Sequence, residues 1–373
     1  MVLSIKWYVF LSSSLVGVAS VFGLSENSSV EEKLPITIPV LHCGIEIGSG
    51  LIRMGIADVS QEGDKRVIHN VLAEQKTPVL FAENAAYNNN TLSEHIYQKA
   101  LVVLKQYKAE ASQLGVRKIH GIATDIFRKA ENGSEFIEML SHELDFEIEI
   151  IDQNKEGELG FLSIAYEVSQ YLPPISMEEL VSWDAGSSST QITVLESNHE
   201  FVIYKSPFGI IPIKVSFEKI RRAQFGCNSI TINPVSDEEI ELLLDHIINS
   251  LPEVPKAISE AVRLGVVVRK FNSSWLVDMF QVDRDKVLTK KEVKEKLDQF
   301  SGKSDDEIRQ MIKCTDFGPE IVVLSLVSLY AMMDKLDISS IRFARIIGNT
   351  CGILLDASLW QEYLIVVDIC AHM

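Results

Sequence analysis

The residues with most chemistry to offer sit together at Asp184-Ala185-Gly186-Ser187-Ser188-Ser189-Thr190-Gln191. Apolar, β-rich runs flank them at 180–183 and 191–194, so the stretch reads as strand, acid, tight turn, strand. Small side chains let backbone N–H groups come close to an anion, and the hydroxyls add donors. A carboxylate where a strand meets such a turn is a usual holder of a hydrated divalent cation, the role expected of Asp184. The plainer reading is a β-hairpin with a serine-rich turn. The same grammar occurs about 140 residues earlier, where a run at 40–47 ends in Glu46-Ile47-Gly48-Ser49-Gly50 and 51–59 returns. Two such units predict a duplicated architecture with two turns facing one another.

The elements that must position these turns follow from periodicity and punctuation. Apolar residues at helical spacing (Ile96, Ala100, Val103, Leu104, Tyr107, Ala111) predict a helix over 92–114. Strands are expected at 118–124 and 147–151, with a turn at Asn132-Gly133 and a helix over 134–144 between them. Asp152 caps a helix over 155–172 that Pro173-Pro174 stops. After the second turn, 201–204 reads as a strand and 237–251 as a helix; 257–268 gives no clear pattern. Thr289 and Ser304 cap helices at 290–300 and 305–313. The apolar helix at 320–336 is too soon interrupted by Asp334 and Lys335 to span a bilayer and reads as a central packed helix. A strand at 341–346 and a helix at 352–360 follow. Strands alternating with helices predict a layered α/β fold.

With 373 residues, 46% of them hydrophobic, the chain can bury the cores of two domains. The net charge of −17 sets a nucleic-acid polymer aside as partner. A polyanionic ligand must therefore be met by local cations, backbone donors or metal. Residues 1–24 carry Lys6 as their single charge before an apolar stretch, and resemble a secretory signal peptide or an uncleaved anchor, with a linker at 25–36. Export to a periplasm or outside is expected, with membrane contact only through an uncleaved N-terminus. A glycosylation sequon at Asn132, within the site region, favours a bacterial exported protein. The five cysteines (Cys43, Cys227, Cys314, Cys351, Cys370) form no disulfide framework or zinc spacing, and the eight histidines show no ligand spacing.

Four stretches together resemble the exopolyphosphatase / guanosine pentaphosphate phosphohydrolase (Ppx/GppA) family of the actin-like ATPase superfold. They are Glu46-Ile47-Gly48-Ser49-Gly50-Leu51; Thr124, Arg128, Ala130 and Asn132; Ile151-Asp152-Gln153-Asn154-Lys155-Glu156-Gly157-Glu158-Leu159; and Asp184 to Gln191. The resemblance runs from about residue 38 to 360. It implies two RNase-H-like domains with a cleft between them, at 37–165 and 166–362, extra helices in the second, and a C-terminal tail at 363–373. It implies an Mg²⁺- (or Mn²⁺-) dependent hydrolase that releases the terminal phosphate of polyphosphate or a phosphorylated nucleotide, and it suggests a homodimer. By position, Glu156 is the carboxylate that activates water, Arg128 the cation facing the phosphate chain, and Asp184 and Glu46 the metal ligands. Gln191 stands where the family has a catalytic-loop glutamate. Gly48, Ser49, Gly186, Ser187, Ser188, Ser189 and Thr190 are the phosphate cradle.

The sequence also departs from the family pattern. Glu46 replaces an aspartate, Gln191 a glutamate, Ser187 and Ser188 glycines, and Glu158 an arginine; Arg269 to Ser274 stands where a glycine-rich segment is expected. Three functions therefore stay open: the hydrolase, a degenerate relative that binds a phosphorylated ligand or a protein with little turnover, and a kinase of the same superfold. Gly348 to Gly352 resembles the kinases' adenosine motif only faintly.

Overall fold

The computed structural model describes residues 40–360, apart from 64, 172–174, 227–230, 271–273, 283–285 and 313–317. The segments read as export signal or anchor (1–24), linker (25–36) and C-terminal tail (363–373), together with Pro173-Pro174, Cys227, Cys314 and Cys370, lie outside the described residues.

The first half runs β1 (Val40–Ile47), β2 (Leu51–Glu62), β3 (Lys65–Pro78), α1 (Phe81–Tyr87), α2 (Glu94–Gln113), β4 (Lys118–Ala123), α3 (Asp125–Lys129), α4 (Gly133–Leu144), β5 (Ile148–Ile150) and α5 (Gln153–Ser169). Its sheet has the order β3-β2-β1-β4-β5. The first three strands form an antiparallel meander, and β4 and β5 add parallel to β1. Parallel neighbours need a crossover, and the α1–α2 and α3–α4 pairs supply it.

The second half repeats the plan. It runs β6 (Leu180–Ala185), β7 (Thr190–Leu195), β8 (Phe201–Ser206), α6 (Ile210–Phe225), α7 (Asp237–Ser250), α8 (Lys256–Leu264), β9 (Val266–Lys270), α9 (Ser274–Phe280), β10 (Leu288–Thr289), α10 (Lys290–Phe300), α11 (Asp305–Met311), α12 (Val322–Lys335), β11 (Ser340–Ala344) and α13 (Thr350–Leu355). Read from β8 inward, β8-β7-β6-β9-β11 has the same meander followed by parallel strands, with β10 added at the edge. The duplication expected from two turns is thus a duplication of whole RNase-H-like lobes, the second carrying extra helices.

Central strands buried on both faces read as near-continuous apolar runs. In β1, Cys43, Ile45 and Ile47 pack towards α2 and α4 with Tyr107, Phe136 and Leu140. The opposite side of that sheet (Ala57, Ile122) packs on α5 and α13 through Leu159 and Ile353. The second core gathers about α12, whose Val322, Val323, Leu326 and Val327 are fully buried, in line with a central packed helix. Each such side chain removed from water contributes roughly 1.5–3 kcal/mol.

Helix α5 serves both lobes. Asp152 caps it by accepting from Lys155 N–H at 2.8 Å. Leu159 reaches the first sheet, while Phe161, Ile164 and Val168 reach β6 and β9 through Leu180 and Val268. Helix α13, late in the chain, also seats on the first sheet. Gly44 and Gly55 stand opposite each other in β1 and β2. A methyl on Gly44 would fall 3.1 Å from Ile353 Cγ2, and one on Gly55 2.8 Å from Thr350 Cβ, so their bareness makes the seat.

The sequence pattern assigns no element to β3, α1, α3, α6, α9 or β10. β3 is an edge strand with much of one face in water, so its charges hide the strand pattern. α1 is short, and α6 begins Ile210-Ile211-Pro212, an apolar β-branched start with proline tolerated in the first turn. The unclear 257–268 stretch divides into α8 and β9.

Candidate active site

The two turns have one construction. Gly48 N–H donates to Leu51 O and Gly186 N–H to Ser189 O, both at 2.9 Å. Each follows its acid by two positions, so Glu46 and Asp184 occupy matching ends of the matching strands β1 and β6. The turns face one another at contact range: a methyl on Gly50 would fall 2.7 Å from Ser187 Oγ. Between them lies a cavity of about 30 Å³, lined by Glu46, Thr124, Glu156, Asp184, Lys270 and residues of both turns. A second pocket of about 100 Å³, reaching Arg269 and Thr190, shares Arg53, Gly186 and Ser187 with it.

Glu156 lines the cavity from the first turn of α5 and is buried. Burial pushes its carboxyl up to about 7, against the opposing pull of Arg128 and with help from the nearby charges of Asp184 and Glu46. Arg128, on α3, is held behind it. Its Nη1 donates to Ile151 O at 2.6 Å, and its Nη2 to Asp125 Oδ1 at 3.2 Å and Glu156 Oε2 at 2.9 Å. The guanidinium therefore supports the acid and does not line the cavity.

Asp184 and Glu46 are both buried and both engaged. Glu46 accepts from Arg53 Nη1 at 3.1 Å, from Asn349 N–H at 3.0 Å and from Asn349 Nδ2 at 3.2 Å. Burial opposes its charge, but Arg53, Lys270 and the Asn349 N–H together hold its carboxyl below the usual range. Asp184 Oδ2 accepts from Lys270 Nζ, which also donates to Asn349 Oδ1 at 2.8 Å. A hard divalent cation wants about six oxygens in a near-octahedral shell. Here both Glu46 oxygens and one Asp184 oxygen are spoken for, and an ammonium stands beside them. The donor set does not fit a resident divalent ion, and no group of three or more His, Cys, Asp or Glu among the described residues is placed to hold one.

Of the expected residues, the structure brings together Glu46, Gly48, Ser49, Glu156, Asp184, Gly186, Ser187, Ser188 and Ser189 around one cavity. Gln191 is buried beneath the turn, its Nε2 donating to Ser189 Oγ at 3.1 Å. Thr190 is tied by its hydroxyl to Phe208 O at 2.8 Å and lines the second pocket. Asn132 clasps Leu92, accepting from its N–H at 2.8 Å and donating to its carbonyl at 2.9 Å. Three residues escaped the sequence reading as site members: Lys270, Arg53 and Asn349. Register could have found Arg53, which faces Glu46 across β1 and β2 as Gln191 faces Asp184 across β6 and β7. Cys43 and Cys351 are buried thiols pushed up to about 12 by desolvation, with no part in the site.

Comparisons with known proteins agree with this fold. The model of the Ppx/GppA phosphatase family matches residues 58–356. A crystal structure of the Aquifex aeolicus member of the Ppx/GppA protein family is similar at TM-score 0.64 and 19% identity, over 87% of this chain and 97% of that one. An exopolyphosphatase from Cytophaga hutchinsonii is similar at TM-score 0.62 and 14% identity, over 84% and 96%. An exopolyphosphatase-like protein is similar at TM-score 0.65 and 16% identity, over 86% and 98%. At these identities the solved structures speak for the fold: two actin-like lobes about a cleft.

Proposed function

The chain belongs to the Ppx/GppA phosphatase family, and from that premise we propose that it hydrolyses a phosphoanhydride, releasing the end phosphate of polyphosphate or of a phosphorylated nucleotide. One observation carries the reading. Glu156 is a buried carboxyl poised at about 7 on the wall of a cavity that both small-residue turns, Arg53 and Lys270 also line. A general base works best with a proton affinity near the operating pH, and ordinary carboxylates are too weak.

Phosphoryl transfer asks mainly for positioning and charge neutralisation. The backbone N–H groups of the two turns receive the phosphate oxygens, and Arg53 and Lys270 supply fixed positive charge at the same cavity. Glu156, ionised, takes a proton from a water held against the end phosphorus. The water oxygen bonds to phosphorus as the bridging P–O bond breaks. The electron pair leaves with the shortened chain, and orthophosphate is freed. No step is routed through a divalent ion, since Glu46 and Asp184 do not present one with a shell.

Orthophosphate release from tripolyphosphate, long polyphosphate and guanosine pentaphosphate, with Glu156→Gln as control, tests the reading. Silence of the wild type on all three would refute it. One observation favours a second reading, a binder of phosphorylated ligands with little turnover. Glu46 and Asp184, the acids that the resemblance assigns to the catalytic metal, are already engaged by Arg53, Asn349 and Lys270. Retained phosphate binding without release would select that alternative.

A further inference from the structure

The two acids that the family resemblance assigns to a metal lie on opposite lobes, and this chain joins them through its own side chains. Lys270 ends β9, where parallel pairing with β6 and β11 fixes its backbone. Its ammonium is buried and donates to Asp184 on one side and to Asn349 Oδ1 on the other. Asn349 then gives both its N–H and its Nδ2 to Glu46. The ammonium has three donors, of which acceptors among the described residues take two, and Lys270 lines the cavity that the third can serve.

We propose that the Lys270 ammonium takes the divalent cation's place, so that this site binds a phosphate anion through Lys270, Arg53 and the turn N–H groups without a metal ion. The inference deepens the phosphohydrolase reading and rests on it for the class of ligand. Its grounds are steric and coulombic. A divalent ion bound to Asp184 would stand against a fixed positive charge among buried groups, where like charges repel far more than in bulk water. Were Glu46 to join its shell, the ion would also compete with the three hydrogen bonds that Glu46 accepts. A lysine there does the neutralising work of a cation with no hydration shell to shed on ligand entry.

The test uses the full chain and two probes, Mn²⁺ alone and inorganic phosphate alone. Mn²⁺ binding is followed by the loss of the free-ion electron paramagnetic resonance signal, in wild type and in Asp184→Asn. The expected result is the same weak surface uptake in both. Phosphate affinity is measured by titration calorimetry with and without a chelator. It is expected to be equal within twofold, and to fall at least tenfold in Lys270→Gln. Should that variant unfold, Lys270→Gln/Asp184→Asn, which removes the ion pair as a unit, carries the affinity measurement. Saturable Mn²⁺ uptake lost in Asp184→Asn, phosphate binding that needs a divalent ion, or unchanged affinity without Lys270 would each overturn the proposal. Neither probe measures turnover, so an inactive protein with the expected Mn²⁺ and phosphate results would refute the hydrolase and leave this inference standing.

Discussion

Arg128 Nη2 lies 2.9 Å from Glu156 Oε2, and the same guanidinium grips the Ile151 carbonyl at 2.6 Å. One arginine thus ties the acid on α5 to the strand end from which α5 departs. The pair fixes where the carboxylate points, while burial fixes when it ionises.

The first expected outcome concerns rate. Glu156→Gln keeps the shape and loses the base, so phosphate release should fall about 10²–10⁴-fold. In the wild type the rate should climb as pH rises through about 7, because the base must be ionised, and level off above that. Initial rates between pH 5 and 9 check this; a flat profile would sink the assignment.

The second concerns stability and carries the opposite sign. The folded carboxyl sits at about 7 against an ordinary 4.5, so the folded state holds this proton more tightly. Its contribution is full below 4.5 and is lost as pH rises through 7. Glu156→Gln cannot ionise, and should be more stable than wild type at pH 8 by about 1–3 kcal/mol, with the gap closing at pH 4. Thermal unfolding at the two pH values measures it.

The third separates positioning from chemistry. Arg128→Lys cannot make the three contacts to Ile151, Asp125 and Glu156. With the opposing charge displaced, desolvation acts on Glu156 with less restraint, and the rising limb of the pH–rate profile should move to higher pH. A fall in rate with the limb unmoved would mean that Arg128 does not act through Glu156.

The fourth tests the hinge of the Glu46 network. Gly348 has φ 65°, and a methyl there would fall 1.8 Å from Glu46 Oε2. Gly348→Ala should cost about 2–4 kcal/mol, combining left-handed strain with overpacking. Gly302 has φ 69° but open space around it, so Gly302→Ala should cost only about 1–2 kcal/mol. Denaturant unfolding of the two variants compares them directly.

The fifth addresses the narrow cradle. Ser187→Gly removes the hydroxyl that meets Gly50 across the cleft, and should raise affinity for tripolyphosphate severalfold. Calorimetric titration reads it, and an unchanged affinity would place the constriction elsewhere.

The turns were legible because their information is local: acid, one residue, glycine, small residues, and a strand on either side. So were α7, by its apolar stripe at helical spacing, and the helices that Thr289 and Ser304 announce as caps, each cap's side chain taking the backbone N–H three residues on. The resemblance supplied Glu156, which nothing in its neighbourhood distinguishes from a first-turn acid favoured by the helix dipole. Lys270 was not legible. Its partners Asp184 and Asn349 stand 86 and 79 residues away, and at the end of a valine run a lysine reads as a solvated strand end. Arg128 was placed in the site, but its role turned on three acceptors that only the fold brings together.

Glu46 waits for Asn349 across 303 residues of chain. During synthesis the first lobe leaves the ribosome with this carboxylate lacking its clasp and with the bare glycine seat of β1 and β2 uncovered. The nascent half is thus a bowl without its lid until α13 emerges. A chain released early, short of α13, would expose an apolar floor beside a carboxylate short of its two Asn349 hydrogen bonds, the kind of surface that quality-control proteases and chaperones seize.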